Sequence, residues 1–168
     1  MDYGLLDEET LKPRPDYWNS LLWRRLMGPE VYPVSLRGPA KLRVYAHSAA
    51  RGNGICLLAI NLDHERSLRL NLPQFDGRPY ERYRLTAPDV LAGEVRLNGA
   101  ALLLLPDGRL PAITGELDPA GEAALLPPLS YGFFVHGDRQ DPTARLKGLH
   151  PDDPHQDQYE PGRGEPRE

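Results

Sequence analysis

Ile55 to Leu62 read ICLLAINL, an unbroken apolar run apart from Asn61. A half-exposed strand alternates apolar and polar residues, so a run of this kind marks a strand covered on both faces. The segments around it do alternate. Lys41 to His47 set Leu42, Val44 and Ala46 opposite Arg43 and Tyr45, Ser67 to Leu72 alternate through Leu68, Leu70 and Leu72, and Tyr80 to Thr86 read YERYRLT. Period two places one face inward and the other in water. Val31 to Leu36, Ala123 to Leu126 and Ser130 to His136 supply further short strands. Glu94 to Leu97 meets Ala100 to Leu105 across Asn98-Gly99, a dipeptide suited to the positive φ angles of a two-residue hairpin turn. About eight short strands divided by turn signals predict a mainly β chain, an antiparallel β-sandwich.

Upstream of the strands the period changes. In PRPDYWNSLLWRRLMGP, Pro13 to Pro29, the residues Trp18, Leu21, Leu22 and Leu26 recur at helical spacing. Pro15 and Asp16 suit the first turn of a helix, where a missing donor costs nothing and a carboxylate meets the positive helix end. Gly28 followed by Pro29 is expected to end it. Beyond Gly137 the sequence turns to DRQDPTARLKGLHPDDPHQDQYEPGRGEPRE, with five prolines and few large apolar residues. Such a segment cannot offset its ordering entropy by burial and is expected to be disordered. The expected division is 1–29, 30–137 for the sandwich, and 138–168 for the tail.

Composition excludes several classes. The 168 residues include 16 Gly and 18 Pro, and a complete (β/α)₈ barrel needs roughly 250 residues, so a self-contained barrel enzyme is not expected. A net charge of −4 offers a phosphate backbone no general attraction, which argues against nucleic acid as a partner. No apolar run is long enough to span a bilayer, and Met1 to Gly4 lack the basic and apolar regions of a secretory signal. Cys56 is the single cysteine, so neither an internal disulfide nor a multi-cysteine zinc site is available. Cys56 sits inside the apolar run and is expected to behave as a buried hydrophobe.

The candidate chemistry is sparse. Asp7, Glu8 and Glu9 precede the helix, but adjacency does not converge two carboxyls on one bond, and a solvated surface near a helix start accounts for them. His47, His64, His136, His150 and His155 show no zinc-ligand spacing, so no metal and no cofactor is expected. None of Ser20, Ser35, Ser48, Ser67 and Ser130 stands in a G-x-S-x-G setting. Tyr3, Tyr17, Trp18, Trp23, Tyr45, Tyr80, Tyr83 and Tyr131 offer flat faces for sugar rings, although packing explains most of them.

Seven separated segments carry more information when taken in order: DYGLLDEETLKPRPDYWNSLLWRRLMG, LRVYAHS, GICLLAINLD, YRLTAPD, VRLNGAAL, DGRLPAI and PLSYGFFV. Together, over residues 2 to about 136, they resemble the C-terminal part of the heparanases and plant heparanase-like proteins, glycoside hydrolase family 79. That resemblance implies a (β/α)₈ barrel carrying an acid/base and a nucleophilic glutamate, joined to a β-sandwich. Residues 1–29 would match the end of the last barrel strand and the last barrel helix. Both glutamates lie upstream of the matched region in the family. The chain therefore reads as a C-terminal fragment of a retaining glycosidase acting on glucuronic-acid-containing glycans, with no catalytic residue of its own. By the same resemblance Tyr3 would help hold the uronic acid carboxylate, and the setting would be secreted, lysosomal or membrane-associated. Ser48 stands where the family has a cysteine, so the bridge that ties the family's last strand is not expected.

The implied partners are the barrel portion, docked on the stripe of Trp18, Leu21, Leu22 and Leu26, or a glucuronic-acid glycan. The alternative is a stand-alone module that binds a glycan or a protein without catalysis, marked by an exposed row of aromatics.

Overall fold

In the computed structural model, which describes residues 4–51, 53–71, 78–119 and 123–137, the apolar run forms the middle of one sheet. The helix α1 spans Pro15–Leu26 and is followed by β1 (Met27–Tyr32), β2 (Leu42–Ala49), β3 (Gly54–Asn61), β4 (Leu68–Leu70) and β5 (Tyr80–Thr86). Then come β6 (Arg96–Leu97), β7 (Ala100–Ala101), β8 (Glu116–Asp118), β9 (Ala124–Leu126) and β10 (Ser130–Gly137). The large sheet has the order β1-β2-β3-β10-β5-β6-β7, with β8 beside β5 on the stretch that β6 leaves open, and β4 pairs with β9 in a second, two-stranded sheet. Every pairing is antiparallel. The expected tail from 138 onward lies outside the described residues.

The two faces of β3 explain the run. Cys56 and Leu58 point into a core shared with Trp18 and Leu22 of α1, Tyr83, Leu85 and Phe133. Ile55, Leu57 and Ala59 point the other way, into a core shared with Leu70, Ala124, Leu126 and Phe134. The helix covers one face of the sheet and the β4–β9 pair covers the other, so β3 has no face to show to water. The partner strand β10 repeats the pattern: Phe133 lies opposite Leu58 on the helix side and Phe134 opposite Leu57 on the other. Burying side chains of this size is worth roughly 1.5–3 kcal/mol each. The stripe of Trp18 and Leu22, 2% and 1% exposed, is thus occupied by the chain's own sheet, with Leu21 and Leu26 packed at its margin. It does not stand open for a partner.

Three places differ from the sequence expectation. The helix ends at Leu26, one residue before β1 begins, and Gly28 is a strand residue, not a helix stop. A Cβ at position 28 would lie 2.8 Å from the Ser48 carbonyl oxygen and collide with Ser48 Oγ, so the glycine is there for close approach between strands. The β1–β2 register shifts between Met27 and Val31, where Pro29 has no N–H to give the ladder. Side chains of β2 close the gap. Glu30 N donates to Ser48 Oγ at 3.3 Å, and His47 Nδ1 donates to the Gly28 carbonyl at 2.9 Å. Ser48 thus serves the bulge. Second, the strand expected over 31–36 stops at Tyr32, before Pro33. Third, β8 was not expected from sequence, and the second hairpin arm is regular only over Ala100–Ala101, although Leu102 N still reaches the Val95 carbonyl at 2.8 Å.

The Asn98-Gly99 turn is as expected, with φ of 49° and 91°. Asn98 does more than turn the chain. β6 pairs with Leu85 and Thr86 of β5, and β8 pairs with Tyr80, Glu81 and Arg82, which leaves a gap at the middle of β5. Asn98 fills it: its N donates to the Arg84 carbonyl (2.8 Å), its Oδ1 accepts from Arg84 N (2.8 Å), and its Nδ2 donates to the Arg82 carbonyl (3.0 Å). A side chain here stands in for a strand residue. Asn61 does a similar service at the end of β3, where its Nδ2 donates to the carbonyls of Arg66, Leu126 and Pro127, and its Oδ1 accepts from Asp63 N.

Gly28→Ala is expected to cost about 1–3 kcal/mol, because the added methyl meets backbone that cannot yield cheaply. Urea unfolding measures this directly, and an unchanged midpoint would contradict the close approach at β2.

Candidate functional site

Among the described residues, hollows lie against the large sheet at opposite ends. The larger, about 790 Å³, is formed where the last turn of α1 (Leu22, Arg25, Leu26) faces the end of β2 (Ala49), the β2–β3 connection (Ala50, Arg51) and parts of β5 and β10. This size is within the range of small-molecule sites. Its walls mix apolar residues such as Ile113, Leu117 and Val135 with Arg25, Arg51, Glu81 and Tyr83. The Tyr83 hydroxyl donates to Glu81 Oε2 at 2.8 Å, and burial together with that carboxylate pushes the phenol up to about 12. Tyr83 therefore stays neutral and holds Glu81 in place. Among the described residues Glu81 is the single carboxylate lining this hollow.

The smaller hollow, about 430 Å³, lies at the other end of the sheet and has Ser130, His64 and Asp89 among its lining residues. Those are the residue types of a hydrolase triad, but they are not connected as one. Ser130 Oγ donates to the Pro127 carbonyl at 2.7 Å, and Asp89 Oδ1 accepts from Leu91 N at 2.7 Å. A nucleophile needs its base within hydrogen-bond reach, and here both oxygens are committed to backbone. Tyr131, which also lines this hollow, has its phenol raised to about 12 by burial and by Asp16.

The candidates named from sequence are dispersed. Tyr3 lies outside the described residues, as do His150 and His155. Asp7 organises the loop before the helix: its Oδ1 accepts from Thr10 N (2.9 Å) and Thr10 Oγ1 (2.7 Å), and its Oδ2 pairs with Arg14 at 3.2 Å. Those bonds, with the Thr10 amide foremost, lower its carboxyl to about 2. Glu8 and Glu9 are exposed beside it, so the acidic cluster is a structured surface loop. Cys56 is fully buried, and desolvation lifts its thiol to about 12, which removes it as a nucleophile at neutral pH. Among the described residues the exposed large aromatics are Trp23 and Tyr45, with Trp23 set edge-on to His47 at 5.3 Å. No three His, Cys, Asp or Glu side chains converge on a metal position among the described residues. No described helix is long and apolar enough to cross a membrane.

Two carboxylates do meet, and sequence reasoning missed them. Arg82 of β5 holds Asp118 at 2.9 Å through Nη1 and contacts Glu116 through Nη2, both residues of β8. The signal was the charge pattern of YERYRLT opposite GELD, two segments whose pairing only the fold reveals. A guanidinium between the two oxygens leaves no room for a scissile bond, so the trio fastens β8 to β5.

The fold and its hollows define an antiparallel β-sandwich module with one flanking helix. In sequence this module is heparanase-like. It is 39% identical over 140 residues to baicalin-β-D-glucuronidase of Scutellaria baicalensis, covering 80% of this chain and 26% of that protein. Mouse heparanase is 39% identical over 146 residues (80% of this chain, 27% of that protein). Mouse inactive heparanase-2 is 34% identical over 158 residues (79% of this chain, 26% of that protein). The chain spans about a quarter of the length of these relatives. No protein-family model matches it.

His136 supplies a test of how the sheet is held. It is 4% exposed, lies against Tyr80 with ring centroids 5.1 Å apart, and burial, with Arg78 adding to it, lowers its imidazole to about 4. Below pH 6.5 the unfolded chain takes up a proton at this position that the folded chain refuses until about pH 4, so stability falls as pH drops through that window. The loss should be about 2–4 kcal/mol. Asp7, Asp63 and Asp107 have lowered carboxyl values and act only below this window. Urea unfolding at pH 7 and at pH 4.5 should show the loss in the natural chain and little of it in His136→Gln.

Proposed function

We propose that this chain supplies the supporting β-sandwich and flanking helix of a heparanase-like glucuronidase, and that these 168 residues by themselves do not hydrolyse glycosides. The parent activity is retaining hydrolysis at glucuronic acid in a glycan, and the natural partner is a (β/α)₈ barrel carrying the catalytic pair. The relatives named glucuronidase and heparanase support the reaction class. The observation that carries the inactivity of this portion is that, among the described residues, one carboxylate lines each hollow, Glu81 in one and Asp89 in the other. Retaining hydrolysis needs two carboxyls about 5–5.5 Å apart across one bond. Glu81 is engaged by Tyr83 and Asp89 by a backbone amide. Under this reading α1 belongs to the sandwich on its inner side, through Trp18 and Leu22, and meets the barrel with its outer side.

The purified chain, assayed on an aryl glucuronide and on heparan sulfate, is expected to show no turnover above buffer. Turnover that disappears in Glu81→Gln or Asp89→Asn would overturn the proposal. Titration calorimetry with uronate oligosaccharides addresses the alternative of a glycan-binding module, for which millimolar or tighter binding is the required result.

A further inference from the structure

The sequence holds the dipeptide Asn-Gly twice, at Asn53-Gly54 and at Asn98-Gly99. Asparagine before glycine is the context in which the side-chain amide is most open to attack by the following backbone nitrogen. Glycine carries no side chain to obstruct the approach. The two copies are in opposite structural circumstances. Asn53 is exposed in the bend between β2 and β3, outside either strand, and its side chain makes no hydrogen bond among the described residues. Asn98 has its Oδ1 bound by Arg84 N and its Nδ2 bound to the Arg82 carbonyl, at 2.8 and 3.0 Å.

We propose that Asn53 is a deamidation site of the folded protein and that Asn98 is kept from the same reaction by its two sheet hydrogen bonds. In the reaction the Gly54 nitrogen gives up its proton and bonds to Asn53 Cγ, the bond from Cγ to the amide nitrogen breaks, and that nitrogen takes up the proton and leaves as ammonia. Water then opens the resulting succinimide at either carbonyl, giving aspartate or isoaspartate. No other reactant is required. At Asn98 the attack demands that Cγ turn toward the Gly99 nitrogen, which breaks both bonds to β5 and leaves the Arg82 carbonyl and Arg84 N–H without their partner.

The site has a structural consequence. Isoaspartate at 53 adds a carbon to the backbone immediately before Gly54, the residue paired with Gly137 in the first rung between β3 and β10. Gly54 has no spare room there, since a Cβ on it would collide with the His136 carbonyl. The modification therefore loosens the entry to the central ladder, next to buried His136.

The test uses the full chain, incubated folded in mildly alkaline buffer and in parallel in concentrated urea, with both sites followed by peptide mass mapping. In the folded chain Asn53 should convert at least roughly tenfold faster than Asn98, the factor that two retained hydrogen bonds impose. In urea the two rates should converge. Asn53→Gln should remove the fast conversion. The proposal fails if Asn98 keeps pace with Asn53 in the folded chain, if Asn53 converts in urea but not when folded, or if the fast conversion survives Asn53→Gln.

Discussion

The strand Gly54–Asn61 is hidden from water on both faces, and the rest of the molecule is arranged to make that so. One strand of a lone sheet cannot achieve it. It requires a neighbour on each edge, β2 and β10, and a covering layer on each side, α1 and the β4–β9 pair. The neighbour β10 is the last described strand, and it inserts between β3 and β5, which come far earlier in the chain. The sheet is therefore incomplete until residues 130–137 arrive. A fold closed by such distant pairing forms slowly for its size, because loop-closure entropy is spent before the central contacts reward it.

Around this centre the sheet ladder runs out in three places, and polar side chains finish it. Ser48 and His47 serve the bulge that Pro29 creates in β1, Asn98 serves the gap on β5 between β6 and β8, and Asn61 ties the end of β3 to the turn before β10. Each satisfies backbone groups that would otherwise be buried or crowded without a partner. A module built from short strands needs such substitutes, since a two-residue strand such as β6 or β7 supplies few rungs of its own. With the single cysteine buried at position 56, hydrogen bonds of this kind take the place of covalent ties.

Much of this was legible in the sequence for identifiable reasons. The two-sided burial of β3 shows in composition alone, β5 matched its predicted limits although Glu81-Arg82 breaks its alternation and sends Tyr80 and Tyr83 to opposite faces, and the hairpin turn was fixed by the φ tolerance of Asn98-Gly99. Gly28 was misjudged because a glycine at a helix end and a glycine at a close strand contact look alike until Ser48 is seen against it. β8 was invisible because three residues with an exposed leucine carry no period, and their partner Arg82 is distant in sequence. The hollows were beyond reach for a similar reason: the larger is assembled from residues 22–26, 49–51, 79–83, 113, 117 and 135–137, and no local pattern links them. Histidine, serine and acid side chains could be named in advance, but their commitments to backbone partners could not.

The central claim is that α1 and the sheet form one cooperative unit around β3 and β10. Native-state hydrogen exchange tests it most directly. The amides of the helix around Trp18 and Leu22 should exchange with the same opening free energy as those of β3 and β10, since neither layer keeps its core without the other. Helix amides exchanging through a much easier opening, while β3 and β10 stay protected, would contradict it and return the helix to a partner outside the sandwich.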